Sequence, residues 1–179
     1  RCAPPDRARP ELAVELHRPP REILEVRGRE AERLVALARD AMVCRQRDLD
    51  CFCYGDPRDV RRIRHDDGLE QIAIGSLPER RLLLSAAYGL LTLRNGIPTG
   101  YAQIDGYLGT ALVHFNTFET FRGTDAAWVF ARTLAAAHAL FGSDAFAIEP
   151  YQLGRDNDEA LQSGAFWFYY KLGFRATNP

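Results

Sequence analysis

At 179 residues, 46% apolar and 26% charged, the chain can bury one hydrophobic core without disulfides or a structural metal, and one domain is the default. A formal net charge of -1 excludes a global basic field that would carry the protein onto nucleic acid or anionic lipid, so a small neutral or partner-specific ligand is expected. No apolar run reaches the length of a membrane span, no signal-peptide stretch opens the chain, and one methionine with unpatterned cysteines suits a reducing cytosol; a cytoplasmic protein is expected.

Arg1 to Pro20 holds five of the ten prolines among arginines, which predicts an extended lead-in over residues 1–28 ahead of a single domain over 29–179. A chain that begins at Arg rather than Met also suggests a fragment. Ile23 to Val26 reads as a short strand, and Ala31, Leu34, Val35, Leu37, Ala38, Ala41 and Met42 recur at helical spacing, predicting a helix from Arg29 to about Gln46. Cys51 to Tyr54 reads as a strand, Gly55-Asp56-Pro57 as a turn, and Leu69 to Ile74 as a better strand. Cys2, Cys44, Cys51 and Cys53 read as buried small residues. Cys51 and Cys53 would share one side of a strand, but no second C-x-x-C or paired histidine completes a zinc site, and no metal is expected.

From Tyr88 the pattern sharpens. Leu90, Leu91 and Leu93 lead into Asn95-Gly96, a strong hairpin signal, and Ile97 to Asp105 resumes as the return strand. A turn over Gly106 to Gly109 precedes a β-branched and aromatic strand, Ala111 to Phe118. Thr124 or Asp125 can cap a helix from Ala126 to Phe141, stopped by Gly142. Ala145 to Pro150 follows as a short strand, Gly154 to Asp158 as a ligand-facing loop, and a final helix capped by Asn157 or Asp158 runs to Gly173. The helix between the Ala111 and Ala145 strands makes them parallel neighbours, and where they splay apart the free backbone groups can receive an extended ligand.

Asn157-Asp158-Glu159-Ala160, then Phe168-Tyr169-Tyr170-Lys171-Leu172-Gly173-Phe174, resembles the closing motif of the GNAT superfamily of acyl-CoA-dependent N-acetyltransferases, with Ser163-Gly164-Ala165 as an insertion. Phe121-Arg122-Gly123 before the Ala126 helix resembles the family's pyrophosphate loop. There Arg122 and Ala127 fit, while Asp125 stands where the family has glycine and would set a carboxylate against a phosphate. The resemblance spans Tyr88 to Phe174, and within the domain over 29–179 the part best supported is 88–175. It implies an α/β (α+β) fold with a mixed central sheet flanked by helices. Pro179 leaves little room for the family's last strand pair, so either the N-terminal half replaces it or the sheet is abbreviated.

The resemblance further implies an acetyl-CoA site at Arg122, Gly123, Thr124, Asp125, Ala126, Ala127 and Asn157. It also implies a proton donor to the departing thiolate at Tyr169, with Tyr170 as the substitute. Amine attack needs a neutral nucleophile, for which Glu149 at the strand end is the preferred base over His114 and Glu119. Each residue has a plain structural reading as well: Tyr169 as a core aromatic, Arg122-Gly123 as a capping turn, Glu149 as an ordinary strand-end carboxylate. The implied function is acyl transfer from acetyl-CoA to an amine of a small molecule or peptide. The rival is a non-catalytic binding or structural module of a larger protein, and a weaker third is a transferase using an aminoacyl-tRNA donor, which the lack of basic excess disfavours.

Overall fold

The computed structural model describes residues 8–44, 50–123 and 125–177. Seven strands form one sheet in sequence order, β1 (Glu22–Val26), β2 (Gly55–Arg64), β3 (Leu69–Ser76), β4 (Ala86–Arg94), β5 (Ile97–Tyr107), β6 (Thr110–Thr117) and β7 (Ala145–Ala147). Neighbours are antiparallel except β6 and β7, which run parallel as expected of strands joined through a helix. The fold is therefore α+β, a mixed open sheet with helices on both faces. Among the described residues no strand follows β7, and the sheet is extended at its other edge by β1 and β2 from the N-terminal half.

Alternation along the strands sorts two apolar cores. Ile72, Ile74, Leu91, Leu93 and Tyr101 face α2 (Gly28–Val43) and α3 (Asp50–Cys53), whereas Ala73, Leu90, Ala102, Ile104 and Val113 face α1 (Leu12–Leu16), α4 (Ala126–Phe141) and α6 (Ala165–Lys171). Buried alanines at 131, 135, 136 and 137 let α4 lie close on the sheet, and Gly142 ends it in the left-handed conformation at φ 65°. One polar link crosses this second core: Gln71 on β3 donates to Thr133 Oγ1 on α4 at 2.7 Å, and its own carbonyl oxygen lies 3.0 Å from His65 Nε2.

Several sequence expectations are corrected. The lead-in is not wholly extended: Leu12–Leu16 is helical and docks on α4, where Arg132 pairs with buried Glu15 and donates to the Arg18 carbonyl. Cys51 to Tyr54 is not a strand; Asp50–Cys53 is one helical turn that buries Cys51 and Phe52 and exposes Cys53, so the two cysteines do not share a face. Gly55-Asp56-Pro57 belongs to β2, whose register slips between Gly55 and Val60; a bulge of this kind accommodates a proline, which cannot donate to the ladder. The closing helix is two, α5 (Asp158–Ser163) and α6, divided at Gly164, where φ of 70° breaks the helical path. The Ala145 strand is shortened to three residues, Ala145–Ala147, and a one-turn 3-10 helix, Pro150–Leu153, begins three residues after its end. The expected end of α2 near Gln46 falls outside the described residues.

Candidate functional site

The register of β6 and β7 stops at Leu112 with Ala147, while β6 continues to Thr117. Among the described residues no strand lies beside this β6 edge beyond Leu112, and a cavity of about 580 Å³ opens there. Residues of both sheet faces line it, Tyr101, His114 and Asn116 from the α2 side and Phe115, Phe168 and Tyr169 from the α4 side, so the space wraps round the strand edge.

Tyr169 closes the α4 side. It is 4% exposed, and its ring is held edge-on by Phe130, Phe168 and Phe174. Burial raises its phenol well above the usual tyrosine range, so it stays a neutral O–H donor. That O–H donates to Gln152 Oε1 at 3.0 Å, and the same oxygen accepts the backbone N–H of Phe115 at 3.2 Å. Gln152 comes from the 3-10 turn after β7. Sequence reading did not single it out, and the signal available was its position just ahead of the expected ligand-facing loop. Tyr170 points elsewhere, exposed under the Arg175 guanidinium at 4.2 Å.

At the other end of the cavity lie Arg122, Gly123 and Ala126, at the start of α4. Arg122 donates to Glu159 Oε1 at 2.6 Å. Ala127 lines an adjoining cavity of about 560 Å³ that shares Gly123, Ala126, Ser163 and Phe168 with the first and adds Arg9 and Lys171. Asp125 is turned away: its carboxylate binds Arg94 and lines a separate cavity near His65, so it does not point a charge into the space beside Arg122. Thr124 lies outside the described residues. Asn157 caps α5, accepting from the Ala160 N–H at 3.1 Å and donating to the Tyr151 carbonyl at 3.1 Å, and lines the cavity.

On the α2 side His114 Nε2 lies 3.4 Å from Asp105 Oδ2, and its Nδ1 lies 3.9 Å from Glu149 Oε2. Gln103 donates to both Asp105 oxygens at 3.0 Å and fixes that carboxylate. The hydrogen bond that His114 donates to Asp105, with the charge of Glu149 behind it, raises the His114 pKa above the ordinary histidine value. Of the three base candidates, the fold thus joins His114 and Glu149, reached through β6 and the end of β7; Glu119 sits apart on an exposed 3-10 turn, Glu119–Phe121. Cys51 offers no competing nucleophile, because burial and then the nearby Asp105 charge push its thiol up to about 12.

The site therefore combines an anion-compatible helix start, an unpaired strand edge, a neutral buried phenol and a histidine flanked by carboxylates. No protein-family model, curated protein or solved structure matches the chain.

Proposed function

We propose that the protein is an acyl-CoA-dependent N-acyltransferase of the GNAT kind, moving an acetyl group from acetyl-CoA to an amine of a small molecule or peptide. The observation that carries the reading is the cavity that rounds the free edge of β6, lined by Arg122, by Tyr169 and, on the opposite sheet face, by His114. A thioester laid along that edge presents its carbonyl to an amine arriving from the His114 side, which supplies the proximity that acyl transfer needs. The pyrophosphate would lie by Arg122, Gly123 and Ala126, where the start of α4 and the guanidinium favour an anion.

In this mechanism the amine nitrogen attacks the acyl carbon, a C–N bond forms, and the nitrogen proton passes to neutral His114, whose Asp105 and Glu149 neighbours steady the resulting imidazolium. Collapse then breaks the C–S bond and releases the thiolate. Tyr169 is the O–H donor that the family resemblance associates with this end of the reaction.

A specific observation favours the second reading, a binding module without chemistry: Glu159 already holds Arg122, and Gln152 already satisfies the Phe115 N–H. Calorimetric titration of acetyl-CoA and of free coenzyme A into the protein decides between them. Saturable micromolar binding is expected; no binding at millimolar ligand removes the acyltransferase reading and favours the module.

A further inference from the structure

A cavity of about 360 Å³ lies between α4, the N-terminal segment and the turn joining β2 to β3, and shares no lining residue with the cavity at the β6 edge. His65 lines it and is 7% exposed. A chain of hydrogen bonds fixes which ring nitrogen of His65 carries the proton. Thr133 Oγ1 donates to the Val129 carbonyl at 3.0 Å, so it accepts from Gln71 Nε2 at 2.7 Å. The Gln71 carbonyl oxygen is thereby turned to His65 Nε2 at 3.0 Å, and only an N–H at that nitrogen can bond to it. Nδ1 is left as a bare acceptor, buried and with no donor among the described residues.

Buried polar groups in native proteins are matched by a partner, so the Nδ1 lone pair points to a ligand that brings a donor. Burial also holds the imidazole below the ordinary histidine range, which keeps that lone pair available at neutral pH. The charges of the lining select the kind of donor. Arg132 and Arg18 pair with Glu15, Arg94 pairs with Asp125 and donates to the Asp67 carbonyl, and the Trp128 indole N–H donates to the Ala8 carbonyl. The lining's side-chain donors are thus engaged, while the exposed Asp66 carboxylate has no cation paired with it among the described residues. Four carboxylates against three guanidiniums leave the lining one negative charge in excess, at Glu15, Asp66, Asp67 and Asp125 against Arg18, Arg94 and Arg132. Leu69, Val129 and Trp128 add apolar and aromatic surface, and an indole favours a neighbouring cation.

We propose that this cavity binds a small primary ammonium compound, whose N–H donates to His65 Nδ1 while its charge faces Asp66 and its carbon chain lies against Leu69, Val129 and Trp128. A neutral acceptor and a carboxylate together suit an ammonium group, which carries several donors and one positive charge. An anion finds no unengaged side-chain donor there, and a neutral alcohol leaves the excess charge unmatched. The site stands apart from the acyltransferase reading and does not depend on it.

The test titrates n-butylamine, cationic at neutral pH, into the whole chain while the histidine ring nitrogens are followed by NMR. Saturable millimolar binding is expected, with the His65 Nδ1 resonance moving upfield as it accepts a hydrogen bond and Nε2 staying protonated. n-Butanol, which has a donor but no charge, should bind about fivefold more weakly, and butyrate should not bind. Asp66→Asn, an exposed change, should weaken butylamine about threefold and leave butanol as it was. His65→Leu removes the acceptor and should abolish saturable binding; Asp66→Asn and the wild-type resonances carry the test if that variant does not fold. No saturation at millimolar amine, saturation that leaves Nδ1 unmoved, or equal affinity for butanol overturns the site.

Discussion

Arg122 donates from Nη2 to Glu159 Oε1 at 2.6 Å, joining the turn before α4 to the first turn of α5 beside the cavity. Both side chains are substantially exposed, so the pair contributes little to stability and the arginine can exchange one anion for another. Glu159→Gln should tighten coenzyme A binding without lowering the melting temperature measurably, and Arg122→Ala should weaken it by about tenfold, the loss of one charge-assisted contact. Calorimetry with coenzyme A reads both. Identical affinity in all three proteins would remove Arg122 from the pyrophosphate site.

In the proposed reaction His114 is the group expected to set the pH dependence. As base it must be neutral, so kcat/KM should rise with pH along a limb placed above the ordinary histidine value of about 6.5, because Asp105 and Glu149 favour the imidazolium. Asp105→Asn removes the larger of these influences and should move the limb to lower pH. A limb that stays in place would assign the titration to another group.

Phe130 is fully buried and contacts the rings of Phe115, Phe168, Tyr169 and Phe174. Phe130→Ala should cost about 3–5 kcal/mol through lost transfer energy and an unfilled cavity. Thermal or urea unfolding measures this. Phe130→Leu, which keeps most of the volume, should lose less stability but still loosen Tyr169 and reduce turnover.

His65 titrates with the opposite sign from His114. Burial lowers its folded pKa below the unfolded value, so the unfolded state binds more protons as the medium becomes acidic. The stability it permits is present above about pH 6.5 and is lost progressively as pH falls from there toward the folded pKa. In urea unfolding followed from neutral to acidic pH, His65→Gln should show a shallower loss than wild type; parallel curves would place the titration elsewhere.

The stretch from Ala86 to Phe141 was legible because its signals are local. Asn95-Gly96 closes the β4–β5 hairpin, the β-branched and aromatic residues of Ala111 to Phe118 mark β6, and Gly142 stops α4. The loop preceding α5 and the Asn157 cap were equally readable from residue type. The segment from Asp50 to Arg64 was not, because a cysteine-aromatic run carries no helical period in four residues and a proline suppresses strand propensity even where a bulge admits it.

By itself the sequence determined which segments are strand-like, which helical and which turn, and hence five consecutive strand and helix signals that lead to a parallel pair beside a splayed edge. Only the tertiary structure decided the site's polar wiring. Arg94 captures Asp125 across 31 positions, Gln152 reaches back 37 to Phe115, and Arg122 meets Glu159 across 37. Such pairings depend on how sheet register and helix docking bring distant side chains within hydrogen-bond distance, and no local periodicity encodes that distance.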